Sequence, residues 1–346
     1  FLSISKVGSL FMDLGFAVAG SSRGGPAKVS VLTSAMVGTI TGSAVANVFM
    51  TGCFTIPMMK KLGYKPHFAG AVEAVASTGG QIMPPVMASA AFIMAELLEI
   101  PYGKLIFYAA IPAILYFFSV GLMVHFVAVK EGLRGIPREN LPSLEGVLKR
   151  IYLISPLVTL IIFVLTGQSI TRASIYSIIV MVAVSLIEKE GRMNPKDILR
   201  GLILGGKMAV FVAVALVLVG VVMGGLITTG LVLNFAGYVL SVGKISFVLP
   251  LLMVTGVSLI LGMGVPTVIA YTVTASLGVP ALTQLGIPPL AAHMFVFYFA
   301  IISNITPPVA LAAYAGASLA GSDTWKTGWT AVKLGIAALI VPFMFV

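Results

Sequence analysis

The sequence predicts an all-α polytopic membrane protein, and three observations predict it. Of 346 residues, 59% are apolar and 9% are charged, and the mean hydropathy is +1.09. Soluble domains carry about 25% charged residues, so an ordinary soluble globule is excluded, as is intrinsic disorder, which needs low hydrophobicity and high charge. The apolar residues fall in long runs between short charged loops; a spanning helix takes about 20 residues, which leaves room for about ten membrane segments. The third observation is where the formal net charge of +10 sits: in those loops, where charge sets membrane orientation rather than a nucleic-acid surface. A single cysteine, Cys53, excludes a disulfide framework or a thiolate metal site. The chain opens on Phe1 without a basic leader or cleavage site, and we read it as lacking its true N-terminus.

Residues 1–28 mix apolar residues with Lys6, Asp13, Arg23 and Lys28, too interrupted to span, which predicts an interfacial or arm helix. Residues 29–128 read as a first repeat. Its run 29–59 is small and polar in the middle, from Gly38 to Asn47, and predicts a re-entrant helical hairpin; Lys60, Lys61 and Lys65 follow. The run 67–98 is interrupted at Gly79-Gly80-Gln81-Ile82-Met83-Pro84-Pro85, a broken helix, and 105–129 is a plain span. Residues 129–200 read as scaffold spans (151–166 and 170–187) with basic cytoplasmic loops, 130–150 and 188–200, the second carrying Lys189, Arg192, Lys196 and Arg200. Residues 201–346 read as a second repeat. It holds a span 201–228 with an interfacial start near Lys207 and a re-entrant hairpin 245–277 broken at Gly262-Met263-Gly264-Val265-Pro266-Thr267. A broken helix 288–320, interrupted at Ser303-Asn304-Ile305-Thr306-Pro307-Pro308, and a last span 329–346 complete it.

The two repeats share an order and a spacing. Pro84-Pro85-Val86 and Pro307-Pro308-Val309 are the same tripeptide; Ser43 lies 41 residues before the first and Thr267 lies 40 before the second. Five crossings separate the basic loop at 60–65 from Lys244. An odd number makes the two hairpins open to opposite faces, the inverted repeat common in secondary transporters. Charge agrees: loops assigned to the cytoplasm hold thirteen Lys and Arg, whereas the opposite loops hold Lys104, Arg172 and Lys244.

Within hydrocarbon every backbone polar group needs a partner, so broken helices are tolerated only where they are buried or line a cavity. Gly42, Gly79, Gly80, Gly262 and Gly264 weaken a helix there, and Pro84, Pro85, Pro266, Pro307 and Pro308 remove donors. The freed carbonyls, with the hydroxyls and amides of Thr41, Ser43, Asn47 and Gln81 in one half and Thr267, Ser303, Asn304 and Thr306 in the other, form a hard oxygen set suited to a cation such as Na+. One such break is equally explained by close packing of small residues; four at matched spacing point to ion binding.

Other features carry less. Glu73, in an apolar helix, is a functional candidate because intramembrane acids default to one, with Lys61 or Lys65 as the alternative, structural partner. His67, His125 and His293 are too scattered for a metal site and read as loop or packing residues. The run Gly201 to Lys207 has phosphate-loop spacing, but Met208 stands where Ser or Thr would hold magnesium. An intramembrane enzyme would need a base beside Ser43, and His67 lies beyond a basic loop, so no catalytic residue is assigned. A channel is the third class, although broken helices in inverted pairs fit alternating access better.

At Gly42-Ser43-Ala44-Val45-Ala46-Asn47, Thr55-Ile56-Pro57-Met58-Met59 and 79–85 the sequence resembles the large membrane subunit of tripartite ATP-independent periplasmic (TRAP) transporters, over about residues 8–346. Gly70-Ala71-Val72-Glu73-Ala74 and Ile100-Pro101-Tyr102 are most similar to the TAXI branch, in which small and large membrane subunits are usually fused. The resemblance implies an elevator-type transporter of the inner (cytoplasmic) membrane, in which two re-entrant hairpins and two broken helices slide against a scaffold. It implies Na+ as coupling ion, with no other cofactor. Ser43 and Asn47 with Gly80 and Gln81 would frame one Na+ site; Gly264 and Thr267 with Ser303, Asn304 and Thr306 would frame the other. It implies as partners a periplasmic substrate-binding protein delivering a small organic anion, such as a carboxylate, and a small membrane subunit or fused N-terminal helices. No intramembrane Arg is placed to hold a carboxylate, so Thr41, Ser43, Pro84, Thr267 and Thr306 are the candidate substrate contacts. A carboxylate transporter of the same broad superfamily without a binding protein is the near alternative.

Overall fold

The computed structural model describes residues 7–187 and 193–346; Lys6, Lys189 and Arg192 lie outside the described residues. Among the described residues there is no strand. The first half comprises α1 (Val7–Ala19), α2 (Gly25–Thr41), α3 (Ala44–Lys61), α4 (Pro66–Gly80), α5 (Ala90–Leu97) and α6 (Tyr102–Lys130). A middle section holds α7 (Leu144–Leu148), α8 (Ser155–Leu165), α9 (Ile170–Ile187) and α10 (Pro195–Thr228). The second half is α11 (Leu231–Gly243), α12 (Val248–Gly262), α13 (Thr267–Gln284), α14 (Pro289–Ile302), α15 (Leu311–Ala320), α16 (Thr324–Leu334) and α17 (Ile336–Ile340).

Each half builds a two-helix hairpin whose turn is set by residues that cannot continue a helix. α2 ends where Gly42 takes a left-handed φ of +60°, a conformation that costs a side chain but not glycine. Ser43 then caps α3, its hydroxyl accepting from Ala46 N at 3.4 Å. The arms run antiparallel: Ser34 and Thr51, equidistant from the turn, hydrogen-bond at 3.0 Å. In the second hairpin α12 stops at Gly262, Gly264 takes φ +71°, and Pro266 presets the entry to α13.

Each half then builds a helix that stops at depth. α4 ends at Gly80, after which the chain turns through a cis Pro84–Pro85 peptide before α5. α14 ends in a 3-10 turn over Ser303–Ile305 and a cis Pro307–Pro308 peptide before α15. A tyrosine hydroxyl satisfies the carbonyl of the second proline each time: Tyr102 donates to Pro85 O at 3.0 Å, and Tyr314 to Pro308 O. α4 and α14 form the centre of the molecule; every residue from Ala69 to Gly80 and from Ala292 to Ile302 is buried. α4 also crosses α15 of the other half at a contact only glycines allow. A Cβ on Gly316 would stand 2.4 Å from Gly70 O.

The outer surface is apolar. α6 exposes Phe107, Ile111, Ile114 and Phe118, and α10 is exposed along most of its length, a surface suited to lipid and far larger than the apolar patches of soluble monomers. α6 and α10 are the two described helices long and apolar enough to cross a membrane on their own. That is fewer than the roughly ten segments length alone suggests, because the turns and breaks above cut the hairpin and broken-helix runs into shorter pieces, and α8 and α9, read as the spans 151–166 and 170–187, are themselves too short to count.

Several boundaries differ from the sequence reading. α10 starts at Pro195, because Asn194 and Asp197 form a capping box, so Lys207 lies inside the helix and not in a separate interfacial turn. The last segment begins at Thr324, capped by Asp323 accepting from Lys326 N at 2.7 Å, and bends by 62° at Gly335, so 329–346 is not one straight span. α11 was not anticipated at all. Like α1 it has 13 residues and directly precedes its hairpin, so the two halves match over one element more than the motifs indicate. At about 1.5 Å per residue a 13-residue helix reaches roughly 20 Å, too short to add a crossing.

Candidate functional site

The two hairpin turns and the two breaks converge on one cavity of about 370 Å³. The first half contributes Thr41, Gly42, Ser43 and Gln81, and the second Pro266, Thr267 and Asn304. These positions lie far apart in sequence and meet in the walls of this cavity. The link is direct. Gln81 Nε2 donates to Thr267 Oγ1 at 2.9 Å and lies 3.3 Å from Gly42 O, while Asn304 Nδ2 donates to the same Thr267 hydroxyl at 3.2 Å. Two separate clusters were expected, one per half; Gln81 instead reaches across and joins them.

Around the first turn, Asn47 is fully buried and donates Nδ2 to Ser34 O at 2.8 Å, leaving Oδ1 without a partner. Gly80 lies against it: a Cβ there would stand 3.0 Å from Asn47 Nδ2 and 2.7 Å from Gly38 Cα. The hydroxyls of Thr41 and Thr78 are likewise buried without partners. Around the second turn, Gly264 N donates to Val309 O at 3.1 Å and Ser303 Oγ donates to Gly262 O at 3.0 Å, so the turn is tied to both sides of the Pro-Pro break. Thr306 Oγ1 donates to Ile302 O at 3.0 Å within its own turn. Of the candidate substrate contacts, Thr41, Ser43 and Thr267 line the cavity; Pro84 and Thr306 are not among its lining residues.

The remaining walls are apolar, including Ile40, Phe92, Met208, Val212 and Leu311, and among the described residues no Lys, Arg or His lines the cavity. An anion held there must be met by hydroxyls, by Gln81 and Asn304 amides, by bound cations, or by the N-termini of α3 and α13, which begin at Ala44 and Thr267 and carry partial positive charge.

The feature that sequence reasoning missed is the surrounding of Glu73. This residue is 0% exposed, and neither Lys61 nor Lys65 reaches it; Lys65 pairs with Glu131 at 3.3 Å instead. Five hydroxyls converge on its carboxylate. Ser34 and Ser77 donate to Oε1 at 2.7 and 3.2 Å and Ser30 to Oε2 at 2.7 Å, joined by Thr51 on Oε1 and Thr55 on Oε2. A signal was present: Ser30/Ser34, Thr51/Thr55 and Glu73/Ser77 are each spaced i, i+4, one polar face on each of three apolar helices. His293 is a buried packing residue, its Nδ1 lying 2.7 Å from the Tyr271 hydroxyl. In the loop between α3 and α4, burial first and Glu131 second push the Tyr64 phenol up to about 12.

A sequence profile described as "Tripartite ATP-independent periplasmic transporter, DctM component" matches residues 1–346. Among curated proteins the chain is similar to the C4-dicarboxylate TRAP transporter large permease protein DctM of Pseudomonas aeruginosa, 24% identical over 94% of this chain and 76% of that protein. It is similar to the sialic acid TRAP transporter large permease protein SiaM of Vibrio cholerae, 24% identical over 94% of this chain and 75% of that one. A shorter match, 26% identical over 40% of this chain and 22% of its counterpart, is to the isethionate TRAP transporter permease protein DctMQ of Oleidesulfovibrio alaskensis. A lipid-suited surface, a doubled hairpin-and-broken-helix plan and a profile match from end to end agree, and the chain belongs to the DctM family, the large membrane component of TRAP transporters.

Proposed function

We propose that this chain is the permease of a Na+-coupled secondary importer of small organic anions, carboxylates among them, delivered by a periplasmic substrate-binding protein across the inner membrane. The observation that carries the reading is the junction of Gln81, Thr267 and Asn304, where both turns and both breaks border one cavity. A site assembled from both halves fits alternating access, in which the substrate site lies at the interface of the repeats. Supporting the choice of ion, Asn47 Oδ1 and the Thr41 and Thr78 hydroxyls are buried oxygens without partners, and buried polar atoms are rarely left so. Together with carbonyls freed at the breaks they offer the neutral oxygen ligands that a hard monovalent cation takes.

In this mechanism Na+ binds first between each turn and its break, and its charge makes a cavity without Lys, Arg or His receptive to an anion. The cavity volume of about 370 Å³ admits a small metabolite. The two hairpins and broken helices then move as one body against the scaffold, as an elevator. The relatives' printed substrates, C4-dicarboxylates, sialic acid and isethionate, are all organic acids and agree with a charge-dependent, size-tolerant pocket. The test is uptake of radiolabelled succinate and glutamate into proteoliposomes containing this permease, its small membrane subunit or fused helices, and the cognate binding protein. Uptake should require both the binding protein and an inward Na+ gradient. Equal uptake with K+ replacing Na+ removes the ion assignment, and uptake without the binding protein removes the tripartite one.

A further inference from the structure

The cavity at the junction of the two halves is provisioned for one charge. Gln81 Nε2 donates to Thr267 Oγ1 and Gly42 O, and Asn304 Nδ2 donates to Thr267 Oγ1 and Ile301 O. An amide nitrogen has two hydrogens, so neither side chain keeps one for a ligand. Thr267 spends its hydroxyl hydrogen on Gln81 Oε1 at 3.2 Å, and the Thr41 hydroxyl oxygen is buried away from the cavity. Ser43 differs. Its hydroxyl accepts from Ala46 N and donates to no protein atom among the described residues. It also caps the N-terminus of α3, where partial positive charge favours an anion. The candidate Na+ residues belong to the same turns and breaks, so a bound cation adds its charge at this end too.

The rest of the lining offers little to a second charge. Ser89 supplies one neutral hydroxyl, and Ile40, Val86, Phe92, Met208, Val268 and Leu311 present hydrocarbon or thioether. A second carboxylate there would give up its water for one partner at most, and a buried charge needs more than that. Tail length has a visible limit as well. Val86 and Phe92 line this cavity and also a second one of about 180 Å³, whose walls include Ile106, Leu160, Val164 and Ile170. The Phe92 ring is the partition, backed by the Tyr102 ring at 4.6 Å between centroids, and the Tyr102 hydroxyl donates to Pro85 O and Val86 O. At about 30 Å³ for each heavy atom, the share a water takes in the liquid, the first cavity of about 370 Å³ holds at most about a dozen.

Resting on the importer reading above, we propose that the preferred substrate class is a monocarboxylate with an apolar tail of medium length, alkyl or aryl, and that Phe92 sets the length accepted. The carboxylate sits at Ser43 and the first turn of α3. The tail runs along the apolar wall and stops at the Phe92 ring, whose removal opens the path into the second cavity.

The test is equilibrium binding of radiolabelled hexanoate to the purified full chain in Na+ buffer, with unlabelled adipate and the even-numbered alkanoates from butanoate to decanoate as competitors. Hexanoate should bind about fifteenfold more tightly than butanoate, each of two methylenes contributing about fourfold. It should bind at least about tenfold more tightly than adipate, which has the same six carbons and a second carboxylate. Phe92→Ala should move the optimum of the alkanoate series upward by about two to six carbons, the second cavity having room for about six atoms on the same scale. These readouts are ratios within one protein, so a lowered folded fraction leaves them unchanged, and Phe92→Leu should move the optimum the same way if Phe92→Ala does not fold. Phe107→Ala, on the exposed outer face of α6, should keep the wild-type series, which separates the site from partitioning into detergent. Adipate binding as tightly as hexanoate, or an optimum that neither Phe92 variant moves, overturns the proposal and leaves the importer reading standing. Absence of saturable binding by every acid, adipate included, overturns that reading and the proposal together.

Discussion

The bond between Gln81 and Thr267 ties the two halves of the molecule, and its strength is measurable by a double-mutant cycle. Thr267→Val removes an acceptor used by Gln81 Nε2 at 2.9 Å and Asn304 Nδ2 at 3.2 Å. Each amide keeps a second acceptor, Gly42 O at 3.3 Å for Gln81 and Ile301 O at 3.1 Å for Asn304. The two amide nitrogens are not stranded, but Gln81 Oε1 loses the Thr267 hydroxyl that donates to it at 3.2 Å, so the cost is near the net value of two to three hydrogen bonds, about 1–4 kcal/mol. Gln81→Leu, nearly isosteric at a site 3% exposed, loses the shared bond and the weaker one to Gly42 O, about 1–2 kcal/mol. The double variant counts the shared bond once, so the coupling should be about 1 kcal/mol, against the roughly 0.3–0.5 kcal/mol scatter of independent sites. Thr283→Val is the control partner, because its hydroxyl bonds only to Val279 O and Pro280 O of its own helix. Equilibrium unfolding of the four proteins in mixed micelles gives the numbers. Coupling below about 0.3 kcal/mol, or equal coupling for Gln81 with Thr283, refutes a direct link between the halves.

Gly316→Ala should destabilise by about 1–3 kcal/mol, since its Cβ would meet Gly70 O at 2.4 Å and backbone cannot give way. Gly220→Ala, with nothing within 4 Å, should instead stabilise slightly; melting curves of both variants check the contrast. Ser43→Ala and Thr267→Ala should each weaken Na+-dependent thermal stabilisation more than Cys53→Ala does, because Cys53 is on the exposed side of α3, and equal effects count against Na+ at the turns. Tyr64 ionises near 12 in the fold and near 10 when unfolded. Its contribution is therefore complete below pH 10 and lost as pH rises toward 12; alkaline unfolding followed by phenolate absorbance should be shallower in Tyr64→Phe over that window.

Much of the plan was legible because interruptions of helices are written locally. Gly42-Ser43 and Gly264 sit at the turns because glycine and a capping hydroxyl act on their own neighbours. Pro84-Pro85 and Pro307-Pro308 break helices for equally local reasons. The placement of α11 escaped notice because Leu231–Gly243 is an apolar stretch in an apolar chain, and only the left-handed Gly230 before it marks a start. The bend at Gly335 was hidden because a lone glycine in an apolar run does not by itself mark a bend; only the structure shows that Ile305 packs where a Cβ at this position would stand, 3.0 Å away. For the site, the residue types were readable but their partners were not. Gln81 meets Thr267 across 186 residues, and the hydroxyls on Glu73 come from three helices. Serine and threonine in such helices look like packing residues until the faces are brought together, which made a lysine partner the simpler reading for the acid.

The glycine crossing between α4 and α15 has a consequence for biogenesis. Gly70 and Gly316 stand 246 residues apart, yet each supplies the groove that the other fills. When α4 leaves the ribosome, its companion is still unsynthesised, and the 246 residues that lead from Gly70 to Gly316 must follow before the crossing can form. Contacts of such long range are slow to form. The α4–α15 crossing therefore closes only after α15 has been made, so the deepest contact of the molecule is also one of its latest.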